Sequence, residues 1–378
     1  MLPSSGARRA GLAAAIAAIP VVLAYRFAQV YRVRAGFPRR HELLWAPDAL
    51  GMPHEEVTVP TADGLTLPGW YMPASSTVAG AAAVAGATTL ARAPGIALVH
   101  GWESARDRTL PHAQFLHAAG FHVLAVDVRG HGQNQPESLP ISVGEFAIDA
   151  AAAVRWLAAR QEVTKVGLLG HSMGAAGAMV AAAAEPAVAA VVGVSTPADP
   201  YRLTRQTFRL ASLPIPGAIA WPLAWLTTHV FLGPRGHTPA EVSASRAVRE
   251  IEVPMLLVHG DEDHVVPVGH LARLAAIRRA ARPDAVTETL TVHGGHHSWL
   301  FEFPEFRAAV ARFFSASLGG PLDPDAAAHA AASIPAARLP EPERLTVLDE
   351  EPGGVRSLLR VFRPQAPTTS TDAPASEV

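Results

Sequence analysis

An apolar run, Lys165-Val166-Gly167-Leu168-Leu169, ends in Gly170-His171-Ser172-Met173-Gly174 and passes directly into the small-residue stretch Ala175-Ala176-Gly177-Ala178-Met179-Val180-Ala181. That order reads as strand, tight turn and helix. A serine at such a junction is forced into a strained backbone conformation, and its hydroxyl projects above the sheet at the start of the helix. The flanking glycines are required because side chains there would collide with the neighbouring strand and helix. Few folds accept such a turn, and those that do are built on a sheet with helices packed against it.

A serine hydroxyl is a weak nucleophile at neutral pH; it needs a base, and the base needs an orienting carboxylate. Both are available downstream. Val253-Pro254-Met255-Leu256-Leu257-Val258-His259-Gly260 reads as a buried strand and is followed by Asp261-Glu262-Asp263-His264-Val265-Val266-Pro267. Thr289-Leu290-Thr291-Val292 reads as another strand and leads into His293-Gly294-Gly295-His296-His297-Ser298-Trp299. The candidate groups thus lie just past the carboxyl ends of strands, where ligands bind in open α/β sheets. A further strand, Ile96-Ala97-Leu98-Val99, opens the loop His100-Gly101-Trp102-Glu103.

Through these segments, over roughly residues 50–318, the chain resembles the α/β-hydrolase family, and more narrowly its bacterial esterases and lipases. The resemblance implies an α/β fold with a mostly parallel, doubly wound sheet, a helical lid insertion, and a triad in the chain order serine, acid, histidine. It points to Ser172 as nucleophile and to Asp263 as acid, three residues after Gly260 and before Val266-Pro267. Asp261 and Glu262 then belong to the solvated loop edge. For the base it points to His297, in a His-Ser-Trp-Leu segment followed by Phe301 and Pro304. His296, directly after Gly294-Gly295, is the alternative, and His293 reads as strand-end structure. The oxyanion hole implied is the pair of backbone N–H groups of Trp102 and Met173. His100 reads as a residue that orders its loop. Val126-Asp127-Val128-Arg129-Gly130-His131-Gly132 is also familiar from these hydrolases and reads as structural, with Gln133-Asn134 where the family often has a serine.

The expected activity is cleavage of a carboxylic ester through an acyl-enzyme, with an apolar acyl pocket and no cofactor. A serine peptidase or acyltransferase on the same fold is the enzymatic alternative. A membrane-anchored, non-catalytic binding protein on a hydrolase scaffold is the alternative from another class. Haloalkane and epoxide chemistry on this fold uses an aspartate nucleophile, against which Ser172 argues. The chain has no cysteine, which excludes disulfides, thiolate catalysis and cysteine–zinc sites. The 17 histidines include no His-x-x-x-His helix with a glutamate, so no metal site is expected. A net charge of −2 argues against nucleic acid as the main partner. The expected partner is a small-molecule or lipid-like ester; the sequence leaves oligomeric state open.

Residues 1–40 hold an apolar run, Ala10 to Tyr25, with Arg8 and Arg9 before it and Arg26, Arg32, Arg34, Arg39 and Arg40 after it. This reads either as a single N-terminal anchor helix or as a cleaved signal segment, which would leave a secreted or periplasmic domain. Glu55–Pro60 and Leu65–Tyr71 read as two strands around an Ala62-Asp63-Gly64 turn. Residues 73–94 are rich in Ala, Gly, Ser and Thr and read as a surface insertion. Residues 197–250 break the strand–helix alternation and form the expected lid, with Phe208, Trp221 and Trp225 as candidates for its apolar inner face. Its Arg202, Arg205 and Arg209 read as a solvated face or as partners for a carboxylate or a lipid headgroup. Residues 319–378 read as a Pro/Ala-rich, largely disordered tail, in which Val355 to Phe362 is a short amphipathic piece.

Overall fold

The computed structural model describes residues 5–74, 92–211, 213 and 215–337. Most of the expected surface insertion, and the tail beyond residue 337 with its amphipathic piece, lie outside the described residues.

Helix α1 (Ser5–Ala35) precedes an antiparallel pair, β1 (Glu55–Pro60) and β2 (Thr66–Met72). Alternation then sets in. Strand β3 (Ala93–Val99) leads through a 3₁₀ turn into α2 (Leu110–Ala118), then β4 (His122–Val126), α3 (Val143–Ala158), β5 (Val163–His171), α4 (Met173–Ala182) and β6 (Val188–Val194). Helices α5 (Pro200–Leu210), α6 (Gly217–Leu232) and α7 (Ala244–Glu250) interrupt it, and β7 (Met255–Gly260), α8 (Gly269–Ala281), β8 (Thr287–Val292) and α9 (Pro304–Leu318) resume it. The sheet has eight strands in the order β1-β2-β4-β3-β5-β6-β7-β8, and every pair from β4 to β8 is parallel.

The central strands are covered on both faces, which is why β3, β4, β6 and β7 read as near-continuous apolar runs rather than alternations. One buried cluster joins one face of the sheet to α3, α4 and α8; the other joins the opposite face to α2 and α9. Ser142 begins α3 with a capping box: its hydroxyl accepts from Gly144 N, and Glu145 reaches back to Ser142 N.

One more helix, α10 (Pro324–Ser333), stands where composition suggested a disordered tail. Ala327, Ala328 and Ala331 face inward, and Arg307 of α9 donates to the carbonyls of Ala331, Ala332 and Ile334. Alanine-rich sequence carries a weak periodic signal, yet it packs closely, and Asp323 caps the helix.

The segment Val126 to Asn134 is structural, as its sequence suggests. Asp127 accepts from Arg106 and from Gln133 N, and Asn134 Nδ2 donates to Asp127 O. Arg129, 2% exposed, lies between Asp149 of α3 and Asp63 of the β1–β2 turn, at 2.6 Å from each. Removing one partner of a buried ion pair leaves an uncompensated charge, typically about 3–5 kcal/mol. Arg129→Met should therefore lower the urea-unfolding free energy by an amount of that order. A loss under about 1 kcal/mol, the range of exposed pairs, would show that Arg129 does not tie the turn to α3.

Candidate active site

The turn between β5 and α4 is built by close backbone approach. A side chain at Gly174 would run into the carbonyls of Val99, the last residue of β3, and of His100 just after it, and one at Gly170 would run into the backbone of Gly174 and Ala175. The chain must therefore reverse within one residue. Ser172 takes φ 54° and ψ −119°, a conformation that costs a non-glycine residue of the order of 1–3 kcal/mol. Its N–H donates to Val194 O at the end of β6, which holds the turn to the sheet. Ser172 then lies at the positive end of α4, beside the orphan N–H groups of the first helical turn.

The structure brings Ser172, His297 and Asp263 together from three strand ends. His297 Nε2 lies 3.0 Å from Ser172 Oγ, and His297 Nδ1 lies 2.8 Å from Asp263 Oδ2. With a proton on Nδ1 donated to the carboxylate, Nε2 is free to accept from the serine hydroxyl. Asp263 is 4% exposed, and its Oδ1 accepts from Val265 N and Val266 N at 2.9 and 2.7 Å. Burial alone would raise its pKa; hydrogen bonds from His259 and His297 outweigh burial and hold the carboxyl below its ordinary value.

The other candidates fall outside this cluster. His296 is half-exposed and faces Glu262, with Nε2 3.7 Å from Oε2. Asp261 accepts from His293 Nδ1 and Gly294 N, both at 2.8 Å, at the rim. His100 orders its loop: Nδ1 donates to Gly101 O and Nε2 accepts from Val128 N. Burial lowers its pKa to about 4, which keeps it neutral in both roles. Gly101 backs directly onto Ser172, since a Cβ there would lie 3.3 Å from Ser172 Cβ. Met173, which follows the serine, is the first residue of α4, and Trp102 follows Gly101 in the loop after β3.

Three positioning residues have no signature in the sequence reading. The carbonyl of His297 accepts from His171 Nε2 at 2.8 Å and from Ser195 Oγ at 3.2 Å. Ser195, at the end of β6, has φ 52°. His259 donates to Val266 O at 2.6 Å and lies 3.2 Å from Asp263 Oδ2. A pair of non-glycine residues with positive φ at the ends of adjacent strands is visible only in coordinates.

The inserted hairpin of α5 and α6 packs differently from expectation. Phe208 of α5 does not meet Trp221 and Trp225; it packs edge-on against Phe27 and Tyr31 of α1, at 5.5 and 5.9 Å between ring centroids. Trp221 and Trp225 are 40% and 54% exposed. The reason is the added partner: α1 takes the inner apolar face of the hairpin and leaves the tryptophans outward. Gln206 of α5 donates to His264 O, so the hairpin borders the loop that carries Asp263.

A doubly wound sheet with a serine on a strained turn after β5, and a carboxylate and a histidine after β7 and β8, defines an α/β-hydrolase. Residues 93–231 match the family described as serine aminopeptidase, S33. An uncharacterized protein of Mycobacterium tuberculosis is 28% identical over 276 residues, covering 70% of this chain and 84% of the relative. The bifunctional esterase/perhydrolase DCH of Acinetobacter calcoaceticus is 28% identical, covering 46% of this chain and 76% of the relative. Among solved structures, the Pyrococcus furiosus esterase Pf2001 superposes with a TM-score of 0.57 at 21% identity, covering 75% of this chain and 98% of the esterase. The chain belongs to the α/β-hydrolase superfamily.

The depressed carboxyl has a pH consequence. A group whose pKa is lower folded than unfolded adds stability above its unfolded value, about 3.9 for aspartate, and that stability is lost as pH falls through the folded value. Asp263→Asn should therefore unfold at lower urea than the parent chain at pH 7, with the gap narrowing below about pH 4. A gap that stays constant from pH 7 to pH 3 would contradict a carboxylate stabilised by its hydrogen bonds.

Proposed function

We propose that this chain is a serine hydrolase that cleaves carboxylic esters, with Ser172 as nucleophile, His297 as base and Asp263 as the acid that orients it. The observation that carries the reading is the His297 ring, hydrogen-bonded through one nitrogen to Ser172 and through the other to a buried carboxylate. His297 Nε2 takes the hydroxyl proton as Ser172 Oγ attacks the carbonyl carbon. The N–H groups of Trp102 and Met173 receive the oxyanion. His297 then gives the proton to the leaving alkoxide, the alcohol departs, and an acyl-serine remains. Water attacks that ester by the same route and releases the acid. Asp263 stays ionised throughout and stabilises the imidazolium.

We further propose that the acyl group is apolar and that α1 anchors the chain in a membrane. Support comes from the helical hairpin beside the Asp263 loop and from the 24-residue apolar span Leu12–Ala35, whose first half is exposed. The amide-cleaving alternative draws on the description of the matched family, and an aminoacyl nitroanilide panel run beside nitrophenyl esters separates the two.

Ser172→Ala should abolish fluorophosphonate labelling and cut ester turnover by about 10⁶-fold, the usual loss of a triad nucleophile. His296→Ala should keep most of the activity that His297→Ala loses. Labelling at another serine, or equal losses from the two histidines, would overturn the assignment. Turnover of nitrophenyl esters should rise with chain length beyond acetate, by up to about 0.8 kcal/mol per buried methylene, until the pocket ends. Acetate as the best substrate would refute the apolar acyl site. The full-length chain should stay with membranes through carbonate extraction, and its recovery in the soluble fraction would refute the anchor.

A further inference from the structure

The turn of the lid hairpin encloses a cleft of about 160 Å³ between α5 and α6, lined by Arg205, Phe208, Arg209, Leu213, Ile215 and Ala220 with the backbone of Gly217. Its lining joins two arginines to apolar side chains. Arg202 is paired with Asp199 at 3.1 Å, but among the described residues no carboxylate lies within ion-pair reach of Arg205 or Arg209. The Arg205 guanidinium lies over the Trp221 ring, 4.3 Å from its centroid, which holds its charge against α6, the helix that gives Gly217 and Ala220 to the cleft.

The position of this cleft along α1 says what faces it. Ala24, Phe27, Ala28, Tyr31 and Ala35 form one covered stripe, and Phe27 and Tyr31 meet Phe208 and Phe231 of the hairpin. Counted from Leu12, Phe27 and Tyr31 lie about 22 and 28 Å along the axis at ~1.5 Å per residue. A hydrocarbon core is about 30 Å thick. If Leu12 sits at one boundary, the contact with the hairpin falls at the other. Ile219, Trp221 and Trp225 are exposed on α6, as suits a surface at the level of the headgroups, where tryptophan is enriched. Arg205 and Arg209 then stand among the headgroups, and a cleft of about 160 Å³, below the ~300–1,000 Å³ of drug-sized ligand pockets, takes a phosphate and the first part of a chain, not a whole lipid.

We propose that the α5–α6 cleft binds the phosphate-bearing headgroup of an anionic bilayer lipid, with Arg205 and Arg209 as its ligands. The proposal rests on α1 lying in the membrane, and it names the lipid class held by the hairpin that borders the Asp263 loop. Such a lipid would fix the lid in the headgroup layer and turn the Asp263 loop beside it toward substrates held in the bilayer.

The test reads binding rather than turnover, so it is independent of the catalytic assignment. The full chain carrying Ser172→Ala, which prevents hydrolysis during titration, is held in dodecyl maltoside micelles and titrated with acyl-brominated phosphatidylglycerol or phosphatidylcholine while tryptophan fluorescence is followed. Half-maximal quenching is expected at about tenfold lower mole fraction of the anionic lipid. Trp221→Phe should remove most of the quenching that shows this preference. Arg205→Gln with Arg209→Gln should bring the two lipids to the same midpoint, and Arg205→Gln alone should bring them partway. Equal midpoints in the parent chain, or a preference that survives both arginine substitutions, would overturn the proposal. Displacement of phosphatidylglycerol by millimolar inorganic phosphate would show a site for free anions and would overturn the lipid assignment as well.

Discussion

The start of α4 lies so close to the end of β3 that no side chain fits between them, and much of the site follows from that contact. Gly174 abuts the carbonyls of Val99 and His100, so the chain leaves β5 through a single strained residue. That one constraint sets the height of the Ser172 hydroxyl above the sheet and places it beside the Gly101 loop. The strain is retained because parallel strands on either side hold the turn: Ser172 N–H bonds to β6, and Ser195 N–H, one strand further, bonds to β7. The residues that meet above the sheet are therefore close because their strands are neighbours, although 125 positions separate Ser172 from His297.

Much of the frame was legible in the sequence because it rests on local pattern. Buried parallel strands announce themselves as apolar runs, and β7 spans Met255–Gly260 within the run that begins at Val253. The resemblance pointed to Asp263 and His297, with His296 as the alternative, and the geometry brings the first two together with Ser172. What could not be read is contact between distant segments. Nothing in the spacing of His171, Ser195 and His297 says that two side chains share one carbonyl. The same holds for Phe208: its apolar character was plain, but its partner is α1, nearly two hundred residues earlier in the chain. α10 escaped notice because alanine is neutral to the hydrophobic period.

Charge is handled by enclosure rather than by number. The buried carboxylates of Asp127, Asp149 and Asp263 each receive several donors, and the arginines that serve the first two also tie separate elements together. Asp263 is the exception in kind: its partners are backbone N–H groups and histidines, with no arginine hydrogen-bonded to it among the described residues. A fixed cation there would compete with the imidazolium that a base must form. Two peptide dipoles hold the carboxylate without adding a full positive charge beside the ring.

The seating of α1 on the α5–α6 hairpin has a mechanical meaning. Residues 36–45 continue the attachment: Gly36 O accepts from Ile141 N, Leu44 N donates to Asp107, and Trp45 Nε1 donates to Asp107 O. The helix is thus clamped at its lid side by aromatic rings and at its end by the body of the domain, so it is no loose tether. Cutting it away would leave Phe208, Phe231 and Thr207 facing solvent and would turn a folded surface into a sticky one. The half of α1 from Ala24 to Ala35 is therefore a piece of the domain's outer wall.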